Sequence, residues 1–167
     1  MSYIVSLADF ETGTTAIATD NFTEAELETA IDTYETSILY ELLGVELCDL
    51  FLDSIDDQAP TEQRFIDIFN PWFKDIDGEL VQSLGIPKML VKWIFFFYVR
   101  QQSQVNTISG NEQSESSINY FSKMGYATLV NEYNQCISTF KAIRKYIEAN
   151  KNTYPEYKGI DKDYISL

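Results

Sequence analysis

The stretch that most constrains this chain is Gly85–Arg100, GIPKMLVKWIFFFYVR, in which every residue from Met89 to Val99 except Lys92 is apolar or aromatic. A helix that is apolar around its whole circumference has to sit inside something. Pro87 suits a first helical turn, where its missing N–H costs nothing, and Gly85 and Ile86 mark the break before it. The run is too short for a bilayer, which takes about 20 consecutive apolar residues, and Lys88 and Lys92 interrupt it. The expected architecture is therefore all-α: a helical bundle around a central apolar helix. Phe95, Phe96 and Phe97 point in three directions, so their cover comes from other parts of the chain or from other copies of it.

The remaining elements follow from periodicity and caps. Residues 1–20 carry Tyr3, Ile4, Val5 and Leu7 and read as an N-terminal arm, packed on its own domain or on a neighbour. Over 21–44, Thr23 and Glu26 have capping-box spacing and Phe22 and Leu27 that of a hydrophobic staple, followed by Leu27, Ile31, Tyr34, Ile38 and Leu42 at helical spacing. Gly44 ends or kinks this helix, and Val45–Leu52 resumes as a shorter one. A polar linker spans Asp53–Pro60. A short helix from Thr61 stops at Asn70-Pro71, Trp72 and Phe73 anchor the next turn, Asp77-Gly78 makes a break, and Glu79–Leu84 is expected as a helical turn.

Gln101–Ser117 is long for a connection within a domain. It is expected as a projecting loop or β-hairpin, with Val105–Ser109 as one arm and Gly110-Asn111 at the turn. Ile118–Asn150 carries the longest helical pattern, with Phe121, Leu129, Tyr133, Ile137, Phe140, Ile143 and Ile147 on one face. Lys141, Arg144, Lys145 and Lys151 gather near its C-terminus, where cations are favoured. Asn150 or Asn152 is available as a cap, and Pro155 stops the helix. The last segment, 154–167, has Tyr154, Tyr157 and Tyr164 with little local sequence to fold against, and reads as a tail lying along a surface, its own or a partner's. The domain organisation expected is thus an arm at 1–20, a helical domain at 21–153 and a docking tail at 154–167.

Charge is segregated. Residues 1–60 hold 14 acidic residues and no Lys or Arg, whereas 61–167 balance 12 acids with 12 bases, so the net charge of −14 lies in the first third. Such a block repels phosphate and excludes a nucleic-acid grip. It is either a solvated acidic face or a surface that meets a basic partner or lines a channel for a polyanion. With no histidine in the chain, imidazole chemistry and His-ligated metals are excluded. Cys48 and Cys136 read as buried thiols of a reducing compartment. No leader peptide is expected, no Walker loop or dinucleotide fingerprint is seen, and Asp53, Asp56 and Asp57 lack calcium-loop spacing. The remaining catalytic option is an all-α, magnesium-dependent nucleotide hydrolase, which needs facing carboxylate pairs. Asp32 and Glu35, and Glu112 and Glu115, have the first spacing, but only Glu132 and Glu148 are left for a facing helix. No enzyme activity and no cofactor are expected.

Several short motifs are similar to one family. Tyr34-Glu35, Leu39 and Leu42-Leu43-Gly44-Val45-Glu46-Leu47 resemble the L-x-x-LLG-x-x-L opening of small helical head-to-tail connector proteins of tailed bacteriophages. Gly85-Ile86 before an apolar helix, Asn106–Gly110 after it, Tyr146–Asn150 and Tyr154-Pro155-Glu156 continue the likeness over residues 22–158. The resemblance implies a structural virion protein, made in the host cytoplasm, that forms a homo-oligomeric ring at the phage neck. Twelvefold symmetry is usual there, with a portal protein on one side, an adjacent neck or tail ring on the other, and DNA passing through without specific binding or any membrane. A tail-completion or terminator protein of the same particle is the near alternative. On this reading partner contacts fall on Val105, Asn106, Thr107, Ile108 and Gly110 of the excursion, on Lys141, Arg144 and Lys145, and on Tyr154, Pro155, Tyr157, Tyr164 and Leu167 of the tail. Deleting 154–167 is then expected to abolish docking without unfolding the domain.

Overall fold

A computed structural model describes residues 3–17, 24–102, 105–107, 110–112 and 126–159, without the side chains at 102, 105–107, 110–112 and 126. The chain is mostly helical, with minor β excursions. Five α-helices occur among the described residues: α1 Glu24–Leu43, α2 Val45–Asp53, α3 Gln63–Phe69, α4 Ile86–Gln102 and α5 Tyr126–Ala149. Short 3-10 turns at Leu7–Phe10 and Gly13–Thr15 precede them. The strands form three separate two-stranded antiparallel hairpins: β1 Ile55–Asp56 with β2 Ala59–Pro60, β3 Trp72–Ile76 with β4 Glu79–Ser83, and β5 Val105–Thr107 with β6 Gly110–Glu112.

As the sequence led us to expect, α4 is the centre. Ile86, Met89, Leu90, Ile94 and Phe95 are fully buried, and α1, α3, α5 and both 3-10 turns pack around the helix. The same chain covers its aromatic circumference. Phe97 stacks on Tyr34 of α1, Phe96 meets Tyr133 of α5 at 4.4 Å between ring centroids, and Trp93 meets Phe140 edge-on at 5.3 Å. Phe96 and Phe97 are only half-buried, so the intramolecular cover is incomplete there.

Lys92, the polar exception in α4, forms an ion pair with Glu132 of α5, which is 3% exposed. A buried carboxylate needs such a partner, because desolvation would otherwise cost several kcal/mol (about 3–5 when one member of a pair is removed). The arm packs on its own domain. Ile4, Val5 and Phe10 join the core, and the fully buried Glu35 of α1 accepts the amides of Tyr3 at 2.6 Å, Ile4 at 3.2 Å and Val5 at 2.9 Å.

Several local expectations are corrected. Glu79–Leu84 is not a helical turn. Asp77 and Gly78 have positive φ (56° and 81°), a pair of left-handed residues that closes a tight two-residue hairpin and turns 79–83 back as β4. The polar linker 53–60 likewise contains a small hairpin, turned by Asp57 and Gln58. The excursion after α4 is a hairpin, but Thr107 pairs with Gly110, so Gly110-Asn111 lies in β6 rather than at the turn. The two residues joining its strands, the proposed Thr23 cap with Phe22, and residues 118–125 before α5 lie outside the described residues.

Candidate interaction surfaces

Among the described residues, those expected to meet partners do not converge on one site. Val105, Asn106, Thr107 and Gly110 lie on the β5–β6 hairpin, and Ile108, Tyr164 and Leu167 fall outside the described residues. Pro155 is exposed.

Tyr154 and Tyr157 lay the start of the tail on the chain's own body. After α5 the Asn150 side chain donates to the Tyr146 carbonyl at 2.8 Å, and a tight turn carries the Tyr154 amide back to the Asn150 carbonyl. Both tyrosines then enter the core, at 1% and 7% exposure. The Tyr154 hydroxyl donates to the Arg64 carbonyl at 2.6 Å, and the Arg64 guanidinium reaches both oxygens of Glu156 at 3.1 Å. Lys158 pairs with Glu46. Segment 154–158 is thus fastened to α2 and α3. The reason is burial: an aromatic side chain of this size gains about 2–3 kcal/mol on leaving water, and α3 supplies the carbonyl its hydroxyl needs.

The basic cluster is also divided. Arg144 donates to the Tyr157 hydroxyl at 3.1 Å and faces Glu41, while Lys145 pairs with Glu79 of β4. Lys141 and Lys151 are exposed. Burial raises the Glu41 carboxyl above its ordinary range and Arg144 opposes that rise. Burial pushes the thiols of Cys48 and Cys136 up to about 12, which keeps both protonated and poorly nucleophilic at neutral pH.

Two of the carboxylates weighed for a metal site, Glu35 and Glu132, have other occupations. Glu35 is turned onto the arm amides; burial raises its carboxyl above the ordinary value, and the amide bonds pull it part of the way back. Glu132 is spent on Lys92. Among the described residues no group of three or more His, Cys, Asp or Glu is placed to hold a metal ion, and no helix is long and apolar enough to cross a membrane.

Two surfaces that the sequence reading missed stand out by exposure. The β3–β4 hairpin has an inner face, where Trp72 packs on Tyr146 at 5.3 Å, the Lys74 ammonium lies 4.1 Å from the Tyr146 ring centroid, and Ile76 and Ser83 are buried. Its outer face carries Phe73, Asp75, Leu80 and Gln82, with Phe73 and Leu80 at 65% and 66% exposure. A cleft of about 400 Å³ beside them is lined by Phe73, Leu80, Ser138, Lys141 and Ala142. The second surface is the outer side of α2, where Val45 (66% exposed) and Leu50 (37%) sit among the exposed acids Glu46, Asp49 and Asp53. The alternation of 72–76 and 79–83 about Asp77-Gly78 was the signal that could have found the first. Compared with known proteins, the chain matches no family model, no curated protein and no solved structure.

Proposed function

We propose that this chain is a structural subunit that assembles into a ring at the head-to-tail junction of a tailed bacteriophage, between portal and tail. The motif resemblance supports this reading. The observation that carries it is the uncovered apolar face of β3–β4, where Phe73 and Leu80 are 65% and 66% exposed beside a cleft. Large exposed apolar side chains are costly in water and mark interaction sites when they cluster. A ring subunit needs two different surfaces, one for each neighbour.

The acidic first third suits the same role. Glu24, Glu28 and Asp32 are exposed along α1, and an acidic wall lets DNA pass without sticking. The Lys141 region and the β5–β6 hairpin remain candidate contacts with neighbouring subunits or rings, whereas Tyr154 and Tyr157 serve the fold.

The test is native mass spectrometry and negative-stain imaging of the purified chain, alone and mixed with portal protein. A ring, or a stoichiometric complex formed on the portal, is the expected result. A chain that stays monomeric in both conditions overturns the proposal. Binding to a tail ring but not to a portal moves it to the terminator position.

A further inference from the structure

The cleft beside Phe73 has two walls of different kinds. One is made by four consecutive residues of β4, 79–82, as the edge of a strand is; a face would supply alternate ones. The other is Ser138, Lys141, Ala142 and Lys145, whose i, i+3, i+4, i+7 spacing marks a single face of α5. Strand and helix are tied at both ends, where the Leu84 amide donates to the Thr139 hydroxyl at 3.3 Å and Lys145 pairs with Glu79. About 400 Å³ stays open between the walls.

The two-residue turn at Asp77-Gly78 makes Ile76 and Glu79 a hydrogen-bonded pair, and the ladder alternates from there. Lys74 with Val81, and Trp72 with Ser83, spend their main-chain groups inside the hairpin. Leu80 and Gln82 turn theirs outward along the cleft, where nothing among the described residues pairs with them. An open strand edge is a template for a further strand. Main-chain bonds then supply the affinity, and alternate side chains the specificity.

Charge does not select the occupant, because exposed Asp75 and Asp77 offset Lys141. Sequence and reach do. The described chain leaves from Gly159, just past the Lys158–Glu46 pair on α2. The eight residues that follow, IDKDYISL, hold no Gly or Pro and carry Tyr164, Ile165 and Leu167, residue types at home on a half-buried strand. Extended, they span about 26 Å, enough to lay 164–167 along the edge at 79–82. Ile165 and Leu167, two apart, share one side of such a strand and suit the exposed Phe73 and Leu80. The exit and the groove lie on different sides of α5: Arg144 turns to Tyr157 and Glu41, whereas Lys141 and Lys145 line the groove. That separation suits contact between copies.

We infer that residues 160–167 of one copy add as a strand to the β4 edge of a second copy, in the groove between β4 and α5. Donor and acceptor differ, so the contact is heterologous and every dimer keeps one free tail and one free groove. The inference deepens the ring reading by naming what joins neighbours, but the contact itself does not require a phage.

Two variants of the full chain test it, with far-UV circular dichroism and thermal melts to verify folding. Gln82→Pro removes an outward amide while sparing the bonds of the hairpin, and Ile165→Asp/Leu167→Asp alters only the tail. In sedimentation velocity the unmodified chain is expected to associate, and each variant alone to do so at least about tenfold more weakly. An equimolar mixture is expected to give a 1:1 dimer that grows no further, with the tail of the Gln82→Pro chain in the groove of the other. Hydrogen exchange at the Leu80 and Gln82 amides is expected to slow on assembly. An unmodified chain that is monomeric at about 0.1 mM overturns the inference, whether its tail is free or lies in its own groove. So does unchanged association of either variant, a mixture that stays monomeric, or assembly that leaves those two amides exchanging as in the monomer. Where Gln82→Pro fails to fold, the tail variant and the exchange pattern decide. Assembly without portal binding leaves the strand contact standing and removes the phage assignment.

Discussion

Glu35 acts on the fold through three backbone amides rather than through another side chain. Replacing it with Ala strands the amides of Tyr3, Ile4 and Val5, of which those of Ile4 and Val5 are buried donors costing about 1–3 kcal/mol each when unmet. Partial rehydration of the arm limits the loss, and the expected outcome is about 3 kcal/mol in urea denaturation, with new protease cleavage within residues 3–17. A variant whose arm stays protected would show that apolar packing of Ile4, Val5 and Phe10 alone holds it. The Lys92–Glu132 pair makes a second case. Lys92→Met leaves Glu132 buried without a partner and is expected to cost about 3–5 kcal/mol. Lys92→Met combined with Glu132→Leu is expected to recover most of that loss, since both desolvation penalties vanish together. The melting temperatures of the single and double variants decide the point.

At the scale of elements, two junctions carry most of the specification. Gly85 joins β4 to α4 at φ +86°, and a Cβ there would fall 2.5 Å from the Phe69 carbonyl oxygen. Neither the left-handed backbone nor the space admits a side chain. Gly85→Ala is expected to cost about 2–3 kcal/mol, the range of a strained backbone site, measured by chemical denaturation. The second junction is the turn after α5. Removal of a buried aromatic costs about 3–5 kcal/mol, so Tyr154→Ala and truncation after Thr153 are both expected to destabilise the whole domain. A truncated chain with unchanged melting would restore the view that the tail is an appendage.

For the whole molecule, the N-terminal arm and the 154–158 segment are strapped onto one body from opposite ends of the sequence. The C-terminal strap is sensitive to acid. Burial tends to raise the Glu156 carboxyl, but its own amide and Arg64 outweigh this, and its pKa lies below the ordinary 4.5. A depressed carboxylate contributes stability above its unfolded pKa and loses it as pH falls through the folded value. Limited proteolysis is therefore expected to open the segment after Asn150 as pH falls below the ordinary 4.5, and Glu156→Gln to open it already at neutral pH. Equal protection at pH 3 and pH 7 would show that Tyr154 and Tyr157 hold the strap without the ion pair.

The helical architecture was readable from local sequence, because a helix is specified by its own caps and period. The apolar run at 86–99, the break at Gly44, and the buried positions Leu129, Phe140, Ile143 and Ile147 all follow from spacing within one segment. The β3–β4 hairpin carried a local sign in Asp77-Gly78, yet the flanking apolar residues fit a helical turn as well, and only pairing between strands separates the two. The candidate site was legible as a charge imbalance but not as a surface. Sequence gives the identity of Lys141, Arg144 and Lys145, whereas the facing elements decide which cation turns to Tyr157, which to Glu79 and which to water. Likewise, composition announces adhesive aromatic residues, and packing sorts them. Tyr154 finds a carbonyl 90 residues away on α3, while Phe73 points outward because the strand's two-residue period puts its neighbour Trp72 against Tyr146. Local periodicity determines the helices; long-range partners alone determine which surfaces remain uncovered.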